Sequence, residues 1–371
     1  AYWCGIAVAA WTAIGLAVGT YINWLIVSKR LRRYSMRAGN AITLPEYFSN
    51  RFHEKGKVIM TIAALFILIF FTVYAASCLV TCGKLFSTLF DMPYIPMMIV
   101  GAVFVLVYTL IGGFLAESAS DFMQALVMII ALGVIVFVGT TAAGGLDAVI
   151  DNVRSTPSFL DFFGIATPET VDGVQQVAAG TPLFGEGTSY GALSVVSALA
   201  WGLGYFGVPQ ALLRFMAIRS ERELTMSRRI ATVWVVISLT IAVFIGVVGR
   251  SLYPSALLTS SEAENVFILL ATSLLPPLLA GFVMAGILAA TISSSDSYLL
   301  IAASAFSKNI YQGLFRKKAS DKEVLRVSRL TLLLIAVVAI VIALDENSVI
   351  FTIVSFAWAG FGATFGPLML F

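Results

Sequence analysis

Residues 291–297 read Thr-Ile-Ser-Ser-Ser-Asp-Ser, inside a stretch otherwise made mostly of Leu, Ile and Ala. A small hard cation takes oxygen ligands. Hydroxyls and reachable main-chain carbonyls supply them without a large permanent charge inside a membrane. On a helix Ser293, Ser294 and Ser297 fall at i, i+1 and i+4, so their hydroxyls share one broad face. Gly286, Ala289 and Ala290 lie one turn earlier, where small side chains leave carbonyls accessible and let another helix approach. The competing reading is that the serines bond back to carbonyls of the preceding turn and mediate packing. The residues alone leave both open.

Asp296 and Asp121 are the acids in or at apolar segments. An intramembrane acid is costly and marks an ion path or an ion pair. A basic partner would account for Asp296 as well as a transport role would. Asp121 reads equally as a functional acid or as a helix N-terminal acid favoured by the macrodipole. The second constellation is Trp201-Gly-Leu-Gly-Tyr205-Phe-Gly-Val-Pro209. Its glycines lower helix propensity and Pro209 removes an N–H, so a helix should break there. Broken helices mark binding sites in transporters. Trp201 and Tyr205, at i and i+4, would flank the break on one face; the alternative is an interfacial aromatic belt ending at a proline. Tyr74 sits midway through an apolar helix, where its phenol needs a partner; core packing with one hydrogen bond accounts for it in isolation.

Other chemistries find no support. His53 is the only histidine and lies among loop charges; Cys4, Cys78 and Cys82 are the only cysteines, and the last two share a face of an apolar helix as buried small residues. No His/Cys cluster suits a metal or haem, and no nucleophile, base and orienter set suits an enzyme. No basic run with interleaved aromatics tracks nucleic acid. No cofactor is expected.

The elements that must hold these residues are membrane helices. Hydrophobic residues make up 59% and charged residues 12% of the 371, against roughly 25% charged in a soluble domain, and mean hydropathy is +0.95. With about 20 apolar residues per span, there are nine candidates: 2–28, 58–89, 97–116, 121–144, 191–208, 230–252, 275–306, 327–344 and 348–371. Loop charge orients them. The basic loop 29–57, the segment 210–229 with Arg214, Arg219, Arg222, Arg228 and Arg229, and the segment 308–326 with Lys308, Arg316, Lys317, Lys318, Lys322 and Arg326 should be cytoplasmic. The long loop 145–190, with six acids against Arg154, should be extracellular. The first residue is then outside, in the plasma (inner) membrane. The short segment 117–121 should be a cytoplasmic loop. Thr43-Leu44-Pro45-Glu46 looks like a capping box opening a short surface helix to Phe52. A short external helix is expected over 260–270. Ala1 opens directly into an apolar segment and Phe371 stops inside one, so 1–371 reads as a single transmembrane transporter domain truncated at both ends.

Trp201 to Pro209 with Arg214-Phe-Met-Ala217 resembles the sodium/proline symporters of the sodium/solute symporter family. So do Asn40-Ala-Ile-Thr-Leu-Pro45-Glu-Tyr-Phe48, Ile111-Gly-Gly-Phe-Leu-Ala116 and Ser355-Phe-Ala-Trp-Ala-Gly-Phe-Gly-Ala363. The resemblance runs over essentially the whole chain. It implies an all-α polytopic protein of the LeuT-type inverted-repeat fold, of which this chain would supply core helices two to ten. It implies symport of L-proline with Na⁺ across a lipid bilayer by alternating access. It further implies that Ala290, Ser293 and Ser294 match sodium ligands, Ser294 standing where the family often has Thr. The remaining ligands would lie on core helix one, outside this chain. Asp121 would match a functional acid, with Ser297 and Asp296 nearby, and Tyr74, Trp201, Tyr205 and Pro209 would match substrate-facing positions. Three alternatives stay open: a sodium symporter of another small organic solute, a transporter-like membrane sensor module, and a channel, which no repeated selectivity-filter motif supports.

Overall fold

A computed structural model of the protein describes residues 1–111 and 114–370, the side chains of 114–116 excepted. Gly112-Gly113, expected near the end of the third span, lie outside the described residues. Nine described helical stretches are long and apolar enough to cross a membrane: Ala7–Arg37, Val58–Phe90, Tyr94–Ile111, Glu117–Ala142, Ala192–Ala217, Glu221–Leu252, Pro277–Phe315, Asp321–Ile342 and Ile350–Leu370. Their large apolar side chains face outward in numbers no water-facing surface would carry, as Ile62, Leu65, Phe66 and Ile69 do on one helix.

Several boundaries differ from the hydropathy reading, for one reason. Hydropathy marks the part of a helix that hydrocarbon surrounds, whereas the backbone stays helical into the charged flanks. Helix α1 (Ala7–Arg37) therefore runs through the basic residues expected to open a loop. Helix α10 (Glu221–Leu252) begins nine residues earlier than its apolar core at 230. The expected loop 117–121 is helical, because α5 spans Phe114–Ala142. The expected surface helix is α2 (Leu44–Arg51), but Leu44, Pro45, Tyr47, Phe48 and Ser49 are buried. Its capping box forms with a shift: Thr43 Oγ1 accepts the Glu46 N–H at 3.3 Å, while the Glu46 carboxylate accepts from Ile42 N–H at 3.1 Å, one residue ahead of the cap.

The chain divides into two compact units. The first comprises Ala1–Val18, Phe122–Gly202 and Val233–Ala290. Here the loop 145–190 carries α6 (Leu146–Arg154) and three small antiparallel ladders, β1 (Gly164–Ile165) with β6 (Thr188–Ser189), β2 (Thr170–Val171) with β3 (Val174–Gln175), and β4 (Val177–Ala178) with β5 (Thr181–Pro182). Gly15 lies so close to Leu199 of α7 (Ala192–Leu199) that a Cβ would stand 2.7 Å from the Leu199 carbonyl oxygen. The expected external helix is a short 3₁₀ turn, Glu262–Asn265, followed by α11 (Val266–Leu274).

The second unit comprises Gly19–Asp121, Leu203–Thr232 and Thr291–Phe371. Helix α3 (Val58–Phe90) packs on α4 (Tyr94–Ile111) through small residues: Gly83 faces Tyr94 and Met98, and Gly101 faces Cys82. Phe71, Phe361 and Phe365 form fully buried core with Phe48. Helix α14 (Ile350–Leu370) brings Phe361 within 4.6 Å of Phe71, ring centre to ring centre. Helix α12 (Pro277–Ser304) continues beyond its expected end as a π-helical segment, Ala305–Phe315, and α13 (Asp321–Ile342) follows, capped by Ser320.

Candidate functional site

The expected break in the fifth span forms. Helix α8 (Trp201–Gly204) stops, four residues follow, and α9 (Pro209–Ala217) starts with Pro209 in its first turn and Val208 as an extended N-cap. The span does not end at 208 as expected, because a proline at the first helical position starts a helix as readily as it ends one. Glycine is needed on both sides of Tyr205 for packing. A Cβ on Gly204 would stand 2.3 Å from the Trp358 indole, and one on Gly207 would stand 2.0 Å from the Phe361 carbonyl oxygen. Asn23, fully buried, donates to the Tyr205 carbonyl at 3.1 Å, satisfying a group that the break removes from the helical ladder. The Tyr205 ring lies 5.8 Å from that of Trp358. Trp201 belongs to the first unit's part of the same broken span.

Tyr74 finds its partner in Tyr298, stacked at 4.1 Å between ring centres; Phe71 also stacks with Tyr298, at 5.2 Å. The Tyr298 phenol interacts in turn with the Ser294 side chain. An aromatic wall thus connects the α3 residue Tyr74 to one hydroxyl of the α12 series.

The hydroxyl series itself divides. Ser295 donates to Ile292 O at 3.2 Å, bonding back to its own helix. Ser297 also lies 3.2 Å from Ser293 O, but its hydroxyl donates in addition to the Glu117 carboxylate. Asp296 is buried at 1% exposure. Its Oδ1 accepts the Ser297 N–H at 2.7 Å, its Oδ2 has no hydrogen-bond partner, and it forms no salt bridge among the described residues.

Two residues that sequence reasoning assigned to loops complete the cluster. Arg214 of α9 donates from Nη2 to Asp121 Oδ2 at 2.5 Å and to Glu117 Oε1 at 3.2 Å, and lies 3.3 Å from Ser297 Oγ. Asp121 is therefore no helix-terminal acid: it lies two turns inside α5, paired with an arginine, with Oδ1 unpartnered. Glu117, one turn earlier on the same face, is buried at 4% exposure. The only sequence signal for it was the i, i+4 spacing of Glu117 and Asp121. Nothing in the sequence tied either acid to Arg214. Glu117 also lines a cavity of about 400 Å³, otherwise mostly apolar, with Thr43, Met216, Ile301 and Ser304.

Ala290 is the last residue of the first unit's part of α12, and Ser293, Ser294, Asp296 and Ser297 lie in the second unit's part of the same helix. Chemically, the second unit offers unpartnered carboxylate oxygens, serine hydroxyls and an aromatic wall beside an open helix break. Such a set can hold a small cation and an apolar ring. Among the described residues, no group of three or more His, Cys, Asp and Glu forms a metal site.

The sodium:solute symporter family model matches residues 1–371. The osmoregulated proline transporter OpuE of Bacillus subtilis is 38% identical over 97% of this chain and 68% of its own length. The high-affinity proline transporter PutP of the same organism is 39% identical over 97% of this chain and 72% of its own length. A sodium/proline symporter of Haemophilus influenzae is 40% identical over 98% and 69%. Among solved structures, a Na⁺-coupled sialic acid symporter in a substrate-bound outward-open state superposes with a TM-score of 0.68 at 16% identity, covering 91% of this chain and 70% of that one. That likeness establishes the LeuT-type inverted-repeat fold for a multi-pass chain whose spans, broken helix and hydroxyl-rich helix are those described above. This chain belongs to the sodium:solute symporter family.

Proposed function

We propose that the protein imports L-proline together with Na⁺ by alternating access, in the cytoplasmic membrane, with Ala1 on the outer side. The observation that carries the substrate is the 37–40% identity to proline transporters over 97–98% of the chain. The sialic acid symporter shares the fold at 16% identity, which favours proline over that solute. The orientation rests on the basic segments 29–57, 210–229 and 308–326 facing the cytoplasm and the acidic loop 145–190 facing out. Transport, not covalent chemistry, is the work of the site, and no cofactor enters it.

Sodium is cargo and coupling ion together. Ser293 and Ser294 supply hydroxyls and Ala290 a carbonyl, all on α12; Asp121, Ser297 and Asp296 offer charge and oxygen nearby in sequence or in the Arg214 cluster. Tyr74, Trp201, Tyr205 and Pro209 serve proline. Aromatic faces suit the compact pyrrolidine ring, and the N-terminal turn of α9 favours its carboxylate. The Tyr74–Tyr298–Ser294 series supports coupling, since a cation ordering Ser294 also orders the aromatic wall. A membrane potential of 100 mV contributes about 2.3 kcal/mol per charge moved inward.

The test is uptake of labelled proline into vesicles containing the full-length protein, under an inward sodium gradient and then with potassium replacing sodium. Accumulation above equilibrium with sodium alone is expected. Equal accumulation with potassium would remove the coupling role. No accumulation despite sodium-dependent proline binding would move the protein to a sensory role.

A further inference from the structure

The basic residues at the end of α1 do not act as one patch. Arg32 donates to Met216 O at 2.7 Å, and Arg33 forms a two-point ion pair with Glu221 at 2.5 and 2.6 Å. Arg30 and Arg37 lie elsewhere on the helix. With Tyr34 they stand at i, i+4 and i+7, on one face, and neither pairs with a carboxylate among the described residues. That face borders a concavity of about 450 Å³, lined also by Tyr47, Asn50 and Arg51 of α2 and by Met369 and Leu370 of α14. Arg51 and His53 enter it from the α2 side, so three guanidiniums and an imidazole line it and no acid does. Arg51 is fixed in position by donating to Leu368 O at 2.9 Å, and Asn50 by donating to Ala38 O at 2.8 Å. The walls beside the arginines are apolar: Val27 and Leu31 from α1, Met369 and Leu370 from α14.

We propose that this pocket binds the phosphate of an anionic phospholipid headgroup. Positive-inside topology alone accounts for scattered surface arginines. It does not account for a concave site with three of them, no counter-charge and an apolar flank. Guanidiniums recognise phosphate oxygens through paired N–H donors. Basic pockets between membrane helices recognise lipid headgroups in this way. A free phosphate in water would gain nothing from Val27, Leu31 and Met369, whereas a glycerol backbone and the first acyl carbons would. Arg30 and Arg37 therefore bind the headgroup from α1, while Arg51 closes it from α2.

The experiment is native mass spectrometry of the full-length protein titrated with phosphatidylglycerol, phosphatidylcholine and inorganic phosphate. Retention of phosphatidylglycerol over phosphatidylcholine is expected. Arg30→Gln with Arg37→Gln should weaken that retention about thirtyfold, near 1 kcal/mol for each of the two basic residues, while Lys317→Gln with Lys318→Gln, two exposed lysines outside the pocket, leaves it unchanged. Both arginines are exposed, so an unaltered melting temperature should accompany the loss. Equal retention of both lipids, an equal loss in the lysine variant, or displacement of the lipid by millimolar inorganic phosphate would each overturn the proposal.

Discussion

Two arginines show how differently the two units handle charge. Arg250, in the first unit, is 3% exposed and has no carboxylate partner among the described residues. Its guanidinium lies over the rings of Phe184 and Tyr2, at 4.6 and 5.2 Å, and donates to Gln175 Oε1 at 3.1 Å. Gln175 is itself fixed, its main-chain N–H donating to Leu258 O at 2.7 Å and its amide to Leu183 O at 2.9 Å. Arg214, in the second unit, has a 38% exposed side chain and contacts two carboxylates, with Asp121 Oδ1 and Asp296 Oδ2 unpartnered. Neutral, immobile partners specify one arrangement. A cation outnumbered by acids can yield one of them to another cation. Arg250 accordingly reads as a lock that holds the ladders of the long loop to α10, and Arg214 as part of an exchangeable ionic cluster.

Arg214→Gln is the sharpest way to break this contrast. It leaves buried Glu117 and partly buried Asp121 without a counter-charge, a loss of about 2–5 kcal/mol where one partner of a buried charge pair is removed. Sodium-driven proline uptake should fall at least about 30-fold in initial rate at matched expression. A rate within tenfold of wild type would place Arg214 with Arg250, as scaffold. Arg250→Met should do the opposite. Losing two desolvated ring contacts and the Gln175 bond should destabilise the protein by about 2 kcal/mol, visible as a lower melting temperature in detergent. The half-saturation concentrations for sodium and proline should stay as they were. A shifted sodium value at unchanged melting temperature would end the comparison.

The contrast was only partly legible in the sequence. The break at Gly204 to Pro209 was, because glycine spacing and a proline act locally, whatever packs against them. The α2 cap was, because Thr43 and Glu46 need only each other. Span positions followed from apolar runs, but their ends did not, since residues such as Glu221 and Arg222 stay helical outside the hydrocarbon. Glu117 and Arg214 are each ordinary loop charges in the sequence; their meeting spans 97 residues and is a tertiary fact. Tyr298 next to Ser297 is equally unremarked by the sequence, as its value lies in stacking on Tyr74. Of the serines, spacing put Ser293, Ser294 and Ser297 on one face, but it could not say which hydroxyls the helix itself would use.

That last point separates two small substitutions. Ser295 bonds back to Ile292 O, so Ser295→Ala should change sodium activation by less than about twofold, as a substitution away from the site would. Ser294 interacts with Tyr298 and stands in the proposed cation series. Ser294→Ala should raise the sodium half-saturation concentration about tenfold, the equivalent of one 1.4 kcal/mol interaction. Equal effects of the two would show that the series serves packing alone.

The finest test lies inside the cluster. Glu117→Gln keeps the shape of the side chain and an oxygen to accept the Ser297 hydroxyl, yet removes one of the two charges that hold Arg214. The guanidinium would then rest on Asp121 alone, and a sodium ion would compete with it for that carboxylate on worse terms. The sodium half-saturation concentration should rise about threefold, near 0.6 kcal/mol, with the proline value at saturating sodium unchanged. The double variant Glu117→Gln with Arg214→Gln should not add the two losses, because both act through Asp121. If the losses add, Glu117 and Arg214 work independently. The second unit would then hold two separate ion pairs rather than one cluster able to exchange partners.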